Sequence, residues 1–133
     1  MLFLSDPAQG DDGLLQAGEI VQLKLNTDLV ILSACETAVG PLQGQEGVAA
    51  LSRAFLLAGA RNVVSTFWSI DDTVSLSLMD LFYKHLAARK SAAEALTAAK
   101  RDILQQYGRN VLPYFWAGFS FEGVADAAIS ADR

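Results

Sequence analysis

Two apolar runs along the chain predict strands that are buried on both faces. Residues 28–33 include the β-branched pair Val30-Ile31 and residues 62–67 include the pair Val63-Val64, without the alternation of apolar and polar positions that marks a half-exposed strand. Runs of this kind are typical of the central strands of a parallel sheet that is covered by helices on both sides. We therefore expect both segments to lie in the middle of one sheet.

A segment with helical periodicity follows each of these strands. Residues 46–58 are apolar almost all round, and residues 72–88 carry apolar side chains three and four positions apart. Either Asp71 or Asp72 is expected to cap the second of these helices. A capping-box pattern that begins at residue 91 opens a third helix, which is expected to end near residue 107.

The order of elements predicts an α/β fold with a parallel sheet. We expect one domain over residues 1–125, and a flexible tail over residues 126–133, where the side chains are small and polar. The expected elements, in chain order, are strand 2–4, helix 17–23, strand 28–33, helix 46–58, strand 62–67, helix 72–88, helix 91–107 and strand 117–121.

Composition excludes several classes of function. The formal charge is −5 and the basic residues are scattered, which argues against a nucleic-acid partner. No apolar stretch is long enough for a membrane helix, and the N-terminus lacks the basic region of a secretory signal, so a cytoplasmic location is expected. A single cysteine and a single histidine exclude a disulfide framework and the usual zinc sites. No phosphate-binding or dinucleotide motif is present, and we expect no cofactor.

Cys35 is the clearest candidate for chemistry. It comes just after the predicted strand 28–33, at the carboxyl edge of the sheet, where ligands of open α/β folds bind. A thiol at that edge is well placed to act as a nucleophile. A lone cysteine is also commonly a small buried apolar residue, and position alone leaves both interpretations open.

A nucleophilic cysteine needs a base, and the chain's one histidine is poorly placed for that role. His85 lies about 13 residues into the helix that starts near Asp72, which is about 20 Å from the carboxyl edge at the helical rise per residue. We expect His85 to be a packing or surface residue instead.

A series of motifs resembles one family, the CHAT domain, which is related to caspases and separase and is often attached to tetratricopeptide repeats in bacteria. The segments that carry the resemblance are LVILSACETAVG, GQEGVAALSRAFLLAGARNVVSTFWSIDD and LPYFWAGF. The resemblance as a whole extends from about residue 14 to residue 121. The resemblance implies a caspase-like, mostly parallel sheet flanked by helices. It also implies a cysteine endopeptidase that acts on a protein or peptide substrate.

The resemblance assigns roles to individual residues. It implies that Cys35, in SACET, is the nucleophile. The family's base is a histidine in a THG-type segment that precedes this motif, and the chain contains no such segment. We therefore expect a domain truncated at its N-terminus that is inactive alone, and whose partner is the upstream caspase-like half or a tetratricopeptide repeat. Trp68, Asp71 and Asp72 match the place of residues that line a pocket for a basic P1 side chain in some relatives, although either carboxylate could instead cap a helix.

Two other hypotheses remain. The missing histidine motivates a non-catalytic pseudo-protease or interaction module. A flavodoxin-like binding domain would explain the order of strands but not the series of motifs.

Overall fold

The computed structural model describes residues 2–3, 14–32, 45–108 and 111–125. The predicted tail 126–133 and residue 4 of the first predicted strand lie outside them. A short 3₁₀ turn covers Pro113–Phe115. The other elements are β1 (Leu2–Phe3), β2 (Leu14–Leu15), α1 (Ala17–Ile20), β3 (Val30–Leu32), α2 (Gln45–Ala58), β4 (Asn62–Thr66), α3 (Asp72–Ala87), α4 (Ala92–Tyr107) and β5 (Phe119–Gly123).

The main sheet has the order β3-β4-β5, and β4 is its central strand. β3 pairs with β4 in parallel, with Leu32 opposite Ser65. β5 pairs with the other side of β4 in the antiparallel sense, with Phe119 opposite Thr66. β1 and β2 form a separate antiparallel pair. Helices pack on both faces of the main sheet, and the predicted α/β class is confirmed.

The antiparallel direction of β5 follows from the two helices that precede it. A single helix between two strands returns the chain to the edge from which the first strand started, which makes the strands parallel. Here α3 leads away from the end of β4, and α4 packs against it and leads back. β5 therefore starts at the edge where β4 ends. The apolar pattern alone did not resolve this direction.

Side chains of β4 alternate between two cores, as the pleat of a strand requires. Val64 faces α3 and α4, and Val63 faces α2 and α1. The first core holds Leu78, Phe82, Leu96, Ala99, Ile103 and Phe119. The second holds Ile20, Leu51, Ala54, Phe55 and Ala58.

The helix ends follow the predicted local chemistry. Ser91 accepts a hydrogen bond from the Glu94 amide, while the Glu94 carboxylate accepts from the Ser91 amide at 3.0 Å. The Ser91 amide and the Ser91 hydroxyl both donate to the Glu94 carboxylate, and these two bonds hold the pKa of Glu94 below its usual value. Gly59 ends α2 with φ of +113°, and a Cβ at this position would collide with the carbonyl oxygen of Leu25. Only glycine fits this turn without strain.

Candidate functional site

The carboxyl ends of β3 and β4 lie at the same edge of the sheet because the two strands are parallel and adjacent. Cys35 follows Leu32 by three residues, and Trp68 follows Ser65, the partner of Leu32, by the same number. Cys35 itself lies outside the described residues. What the structure defines is the neighbouring half of this edge, formed by the segment that joins β4 to α3.

Asp71 caps the N-terminus of α3. Its Oδ1 atom accepts hydrogen bonds from the amides of Thr73 at 3.0 Å and Val74 at 3.3 Å. Two of the amides that an α-helix leaves unpaired in its first turn are thereby satisfied. Asp72 lies in the first turn of the helix and is exposed to solvent. Of the two carboxylates that the sequence offered as a cap, Asp71 is the one that the structure uses.

Replacing Asp71 with alanine is expected to lower the free energy of unfolding by about 1 kcal/mol, since the first turn of α3 loses its acceptor. Asp71→Asn should retain most of the stability because the amide oxygen can still accept both bonds. Asp72→Ala should cost about 0.5 kcal/mol or less, from the lost interaction with the helix dipole. Urea denaturation of the three variants measures the difference, and an equal loss for Asp71→Asn and Asp71→Ala would contradict the capping role.

Trp68 joins the segment after β4 to the segment before β5. Its Nε1 donates a hydrogen bond to the carbonyl oxygen of Tyr114 at 2.8 Å, and the Tyr114 hydroxyl donates to the carbonyl of Ser69 at 2.6 Å. The two rings are stacked, with centroids 5.9 Å apart. These contacts hold the half-buried indole at the carboxyl edge of the sheet, in the loop that leads to α3.

Gly118 makes room for this arrangement. A Cβ at Gly118 would approach Trp68 Cε2 to 2.8 Å and Ile70 Cδ1 to 2.9 Å, closer than packed side chains tolerate. Sequence reasoning had assigned no role to Tyr114 or Gly118. Both residues belong to the YFWAGF segment, which the sequence motif had already singled out. The motif alone does not show that this segment contacts the residues after β4.

His85 is held far from this edge, near the C-terminal end of α3. Its Nε2 lies 2.7 Å from Asp102 Oδ2 on α4, and its Nδ1 lies 3.1 Å from the ammonium of Lys90. Thirteen residues of helix separate it from Asp72, a distance of about 20 Å. The structure confirms that His85 is a packing residue, and it links α3 to α4.

The described part of the chain offers neither a metal site nor a membrane-spanning helix. No group of three or more histidine, cysteine, aspartate or glutamate side chains is arranged to hold a metal ion there. Among the same residues, no helix has the length and apolar character that crossing a membrane requires.

Comparison with known proteins identifies the family. The family model of the CHAT domain matches residues 1–124. Tetratricopeptide repeat protein 28 of mouse is 34% identical over 110 residues, which cover 83% of this chain and 4% of the mouse protein. The human protein of the same name is 32% identical over 120 residues, which cover 90% of this chain and 5% of the human protein.

The chain belongs to the CHAT domain family. The match includes the strand that leads to Cys35, the segment with Trp68 and Asp71, and the turn before β5. The chain corresponds to only about a twentieth of the length of these relatives. Both relatives are mammalian, so membership of the family does not itself indicate the bacterial source that the resemblance first suggested.

Proposed function

We propose that the chain is the cysteine-bearing portion of a CHAT-type cysteine endopeptidase, with Cys35 as its nucleophile. One observation carries the proposal. The parallel register of β3 and β4 brings the chain that leads to Cys35 and the segment with Trp68 and Asp72 to the same edge of the sheet. This edge is where α/β folds bind ligands and where a nucleophile and a substrate pocket would have to meet.

The catalytic base of this proposal lies outside the 133 residues. A cysteine protease needs a histidine within hydrogen-bonding reach of its thiol. The chain has one histidine, and His85 is engaged by Asp102 and Lys90 at the far end of α3. We therefore propose that the chain is inactive by itself and that a further segment or chain supplies the histidine.

The proposed reaction is acyl transfer to sulfur. With the histidine in place, the Cys35 thiolate attacks the carbonyl carbon of a peptide bond, and the imidazolium gives its proton to the departing amine. Water, deprotonated by the same imidazole, then hydrolyses the thioester and releases the acid product. Backbone amides near the thiol would stabilise the oxyanion in both steps.

Asp72 is the best candidate to receive a basic P1 side chain. Asp71 is committed to the helix cap through Oδ1, whereas Asp72 is exposed one residue further on. The stacked rings of Trp68 and Tyr114 would form an apolar wall for the methylene groups of lysine or arginine. The position of Asp72 in the first helical turn keeps its carboxylate close to the edge.

A profile of P1 preference tests this proposal. The protein supplied with a histidine-bearing CHAT segment is expected to cleave fluorogenic peptides with arginine or lysine at P1, in a reaction that thiol alkylation stops. Asp72→Asn should lower kcat/KM for these peptides by about tenfold or more, because a charge-assisted contact is lost. Peptides with a neutral P1 should be affected little.

Asp71→Asn is the matched control, since it removes the same charge one residue away but retains the cap. It should leave the P1 preference unchanged. If the completed and folded domain cleaves none of a diverse peptide library, the peptidase proposal fails. If it cleaves peptides but Asp72→Asn leaves the preference intact, only the assignment of the pocket fails.

The absence of a free histidine also favours a second function, that of a non-catalytic interaction module. Both relatives are named as tetratricopeptide repeat proteins. These names support the proposal that the chain acts beside such repeats, whether it is part of a peptidase or a non-catalytic module. A cellular effect that survives Cys35→Ala would identify the interaction module, and loss of the effect would favour the peptidase.

A further inference from the structure

β5 is an outer strand of the main sheet, and its bonds to β4 show which of its backbone groups point away from the sheet. Phe67 donates to the carbonyl of Gly118 at 3.0 Å. In an antiparallel pair, residues that bond inward alternate with residues whose amide and carbonyl point to the opposite side. The backbone groups of Phe119 and Phe121 therefore point outward. In the part of the chain that the structure describes, no other strand pairs with this outer side of β5.

Unpaired amides and carbonyls on an outer strand favour pairing with a further strand, from a second copy or from another protein. Strand addition of this kind draws its affinity from main-chain hydrogen bonds, and the donors and acceptors of the outer strand must be free to form them. What contacts the outward groups of Phe119 and Phe121 therefore decides whether β5 can accept a further strand.

Lys100, on α4, occupies the first of these outward groups. Its ammonium donates a hydrogen bond to the carbonyl oxygen of Phe119 at 2.6 Å. An amide of an added strand would have to lie where this ammonium lies. Phe119 is only 3% exposed, so the side chain and the helix that cover this position leave little room for a further strand at the beginning of β5.

The ammonium of Lys100 is held in this position against its own hydration. Burial lowers the pKa of Lys100, because the charged form is the one that loses solvation. Lys100 takes part in none of the ion pairs between described residues. Arg101, the next residue of the helix, is exposed to solvent. A lysine that served only to keep the surface charged would extend into water in the same way, whereas Lys100 lies against the outer strand.

The blocked carbonyl affects any strand that pairs with this part of β5. Two copies of the chain paired symmetrically about Ser120 would place Phe119 of one copy opposite Phe121 of the other. The Phe121 amide would then have to donate to the carbonyl that Lys100 occupies, and symmetry repeats the conflict. An extended segment of any other sequence meets the same obstacle at Phe119, because the obstacle lies in the backbone bonds and not in the side chains of the added strand.

The blocked position lies at the end of β5 nearest the candidate site. Phe119 faces Thr66, at the end of β4, and follows Gly118, which makes room for Trp68. A strand added here would lie beside the loops that carry Trp68 and Tyr114. Closing this side of β5 therefore also keeps an added strand away from the candidate site.

We propose that Lys100 blocks strand addition to β5, both by a second copy of the chain and by extended segments of other proteins. The ammonium occupies the acceptor that an added strand needs first, and it leaves Phe121 as an isolated outward position in the middle of the strand. Lysine side chains that lie across an outer strand are one of the means by which natural sheets avoid pairing with other chains.

Lys100→Ala tests the proposal in the whole chain, because it removes both the ammonium and the stem of the side chain. Hydrogen exchange at the Phe121 amide reports strand addition, since this amide points outward. As the protein concentration rises from about 10 μM to about 1 mM, exchange at this amide should slow by about tenfold or more in Lys100→Ala and stay unchanged in the parent chain. Sedimentation in a buffer whose salt screens the net charge should show dimers of the variant.

Arg101→Ala is the matched control, because it removes the same charge from the next residue of α4, which is exposed. It should leave exchange at the Phe121 amide independent of concentration. Lys100→Met is the second variant. It retains an apolar stem but lacks the donor, so it should gain protection at Phe121 as Lys100→Ala does, and it tests the proposal if the alanine variant does not fold. Circular dichroism checks the fold of each variant.

Four outcomes would overturn the proposal. The folded Lys100 variants could exchange the Phe121 amide at the rate of the parent chain at every concentration. Arg101→Ala could gain the same protection as the Lys100 variants. The parent chain could itself become protected at Phe121 as its concentration rises. Dimers of a Lys100 variant without protection of Phe121 would place the contact elsewhere on the molecule.

Discussion

Cys35→Ala is expected to lower kcat/KM for peptide hydrolysis by at least about 10³-fold in the protein supplied with its histidine segment, because the reaction loses its nucleophile. His85→Gln, in the same protein, should change kcat/KM by no more than about twofold. The contrast follows from the position of His85, which contacts Asp102 and Lys90 at the far end of α3. Initial rates on one fluorogenic peptide, with circular dichroism to confirm folding, measure both effects.

The two variants together test which histidine acts. A large loss of kcat/KM in His85→Gln, with the fold intact, would mean that the one histidine of the chain reaches the thiol, and that His85 does not stay at the far end of α3. Retention of activity in Cys35→Ala would mean that another group attacks the peptide bond. Either result would contradict the proposal that this chain supplies the nucleophile while another segment or chain supplies the base.

Phe82→Ala is expected to lower the free energy of unfolding by about 3–5 kcal/mol. Phe82 is fully buried in the core between the main sheet and the α3–α4 pair, where it is grouped with Leu78, Ala99 and Ile103. Removing the ring loses its transfer free energy and leaves a cavity that the surrounding helices can fill only in part. Because a domain of this size is stable by only about 5–15 kcal/mol, the variant should be close to unfolding at physiological temperature.

Leu76→Ala is the matched control on the same helix. Leu76 is 74% exposed, so its truncation removes little buried surface and should change the free energy of unfolding by no more than about 0.5 kcal/mol. Urea denaturation followed by circular dichroism compares the two variants. Equal stability of Phe82→Ala and the parent protein would show that α3 does not pack on the sheet as described.

Sequence reasoning predicted the elements that depend on local signals. The capping box at Ser91, the end of α2 at Gly59 and the buried β4 strand were confirmed because each is determined by residues close together in the chain. The direction of β5 and the contact between Trp68 and Tyr114 were not predicted. Both depend on where a distant segment lies after α3 and α4 have packed, and periodicity carries no information about that.

For the candidate site, the sequence predicted where the residues lie but not which hydrogen bonds they form. Patterns of residues placed Trp68, Asp71 and Asp72 together at the end of β4, and the structure has them there. Which carboxylate caps the helix could not be read from the sequence, because both stand within reach of the first turn. The hydrogen bonds of Asp71 resolved that choice. Cys35 lies outside the described residues, and its role as the nucleophile stays a prediction.

The central claim is that Cys35 becomes a nucleophile only with a histidine from outside these residues. Intact-protein mass spectrometry tests it most directly, after incubation with a peptidyl chloromethyl ketone that carries arginine at P1. We expect a single adduct, located on Cys35 by peptide mapping, that forms rapidly only when the histidine-bearing segment is present. An adduct on another residue, or labelling of Cys35 at the same rate without that segment, would contradict it.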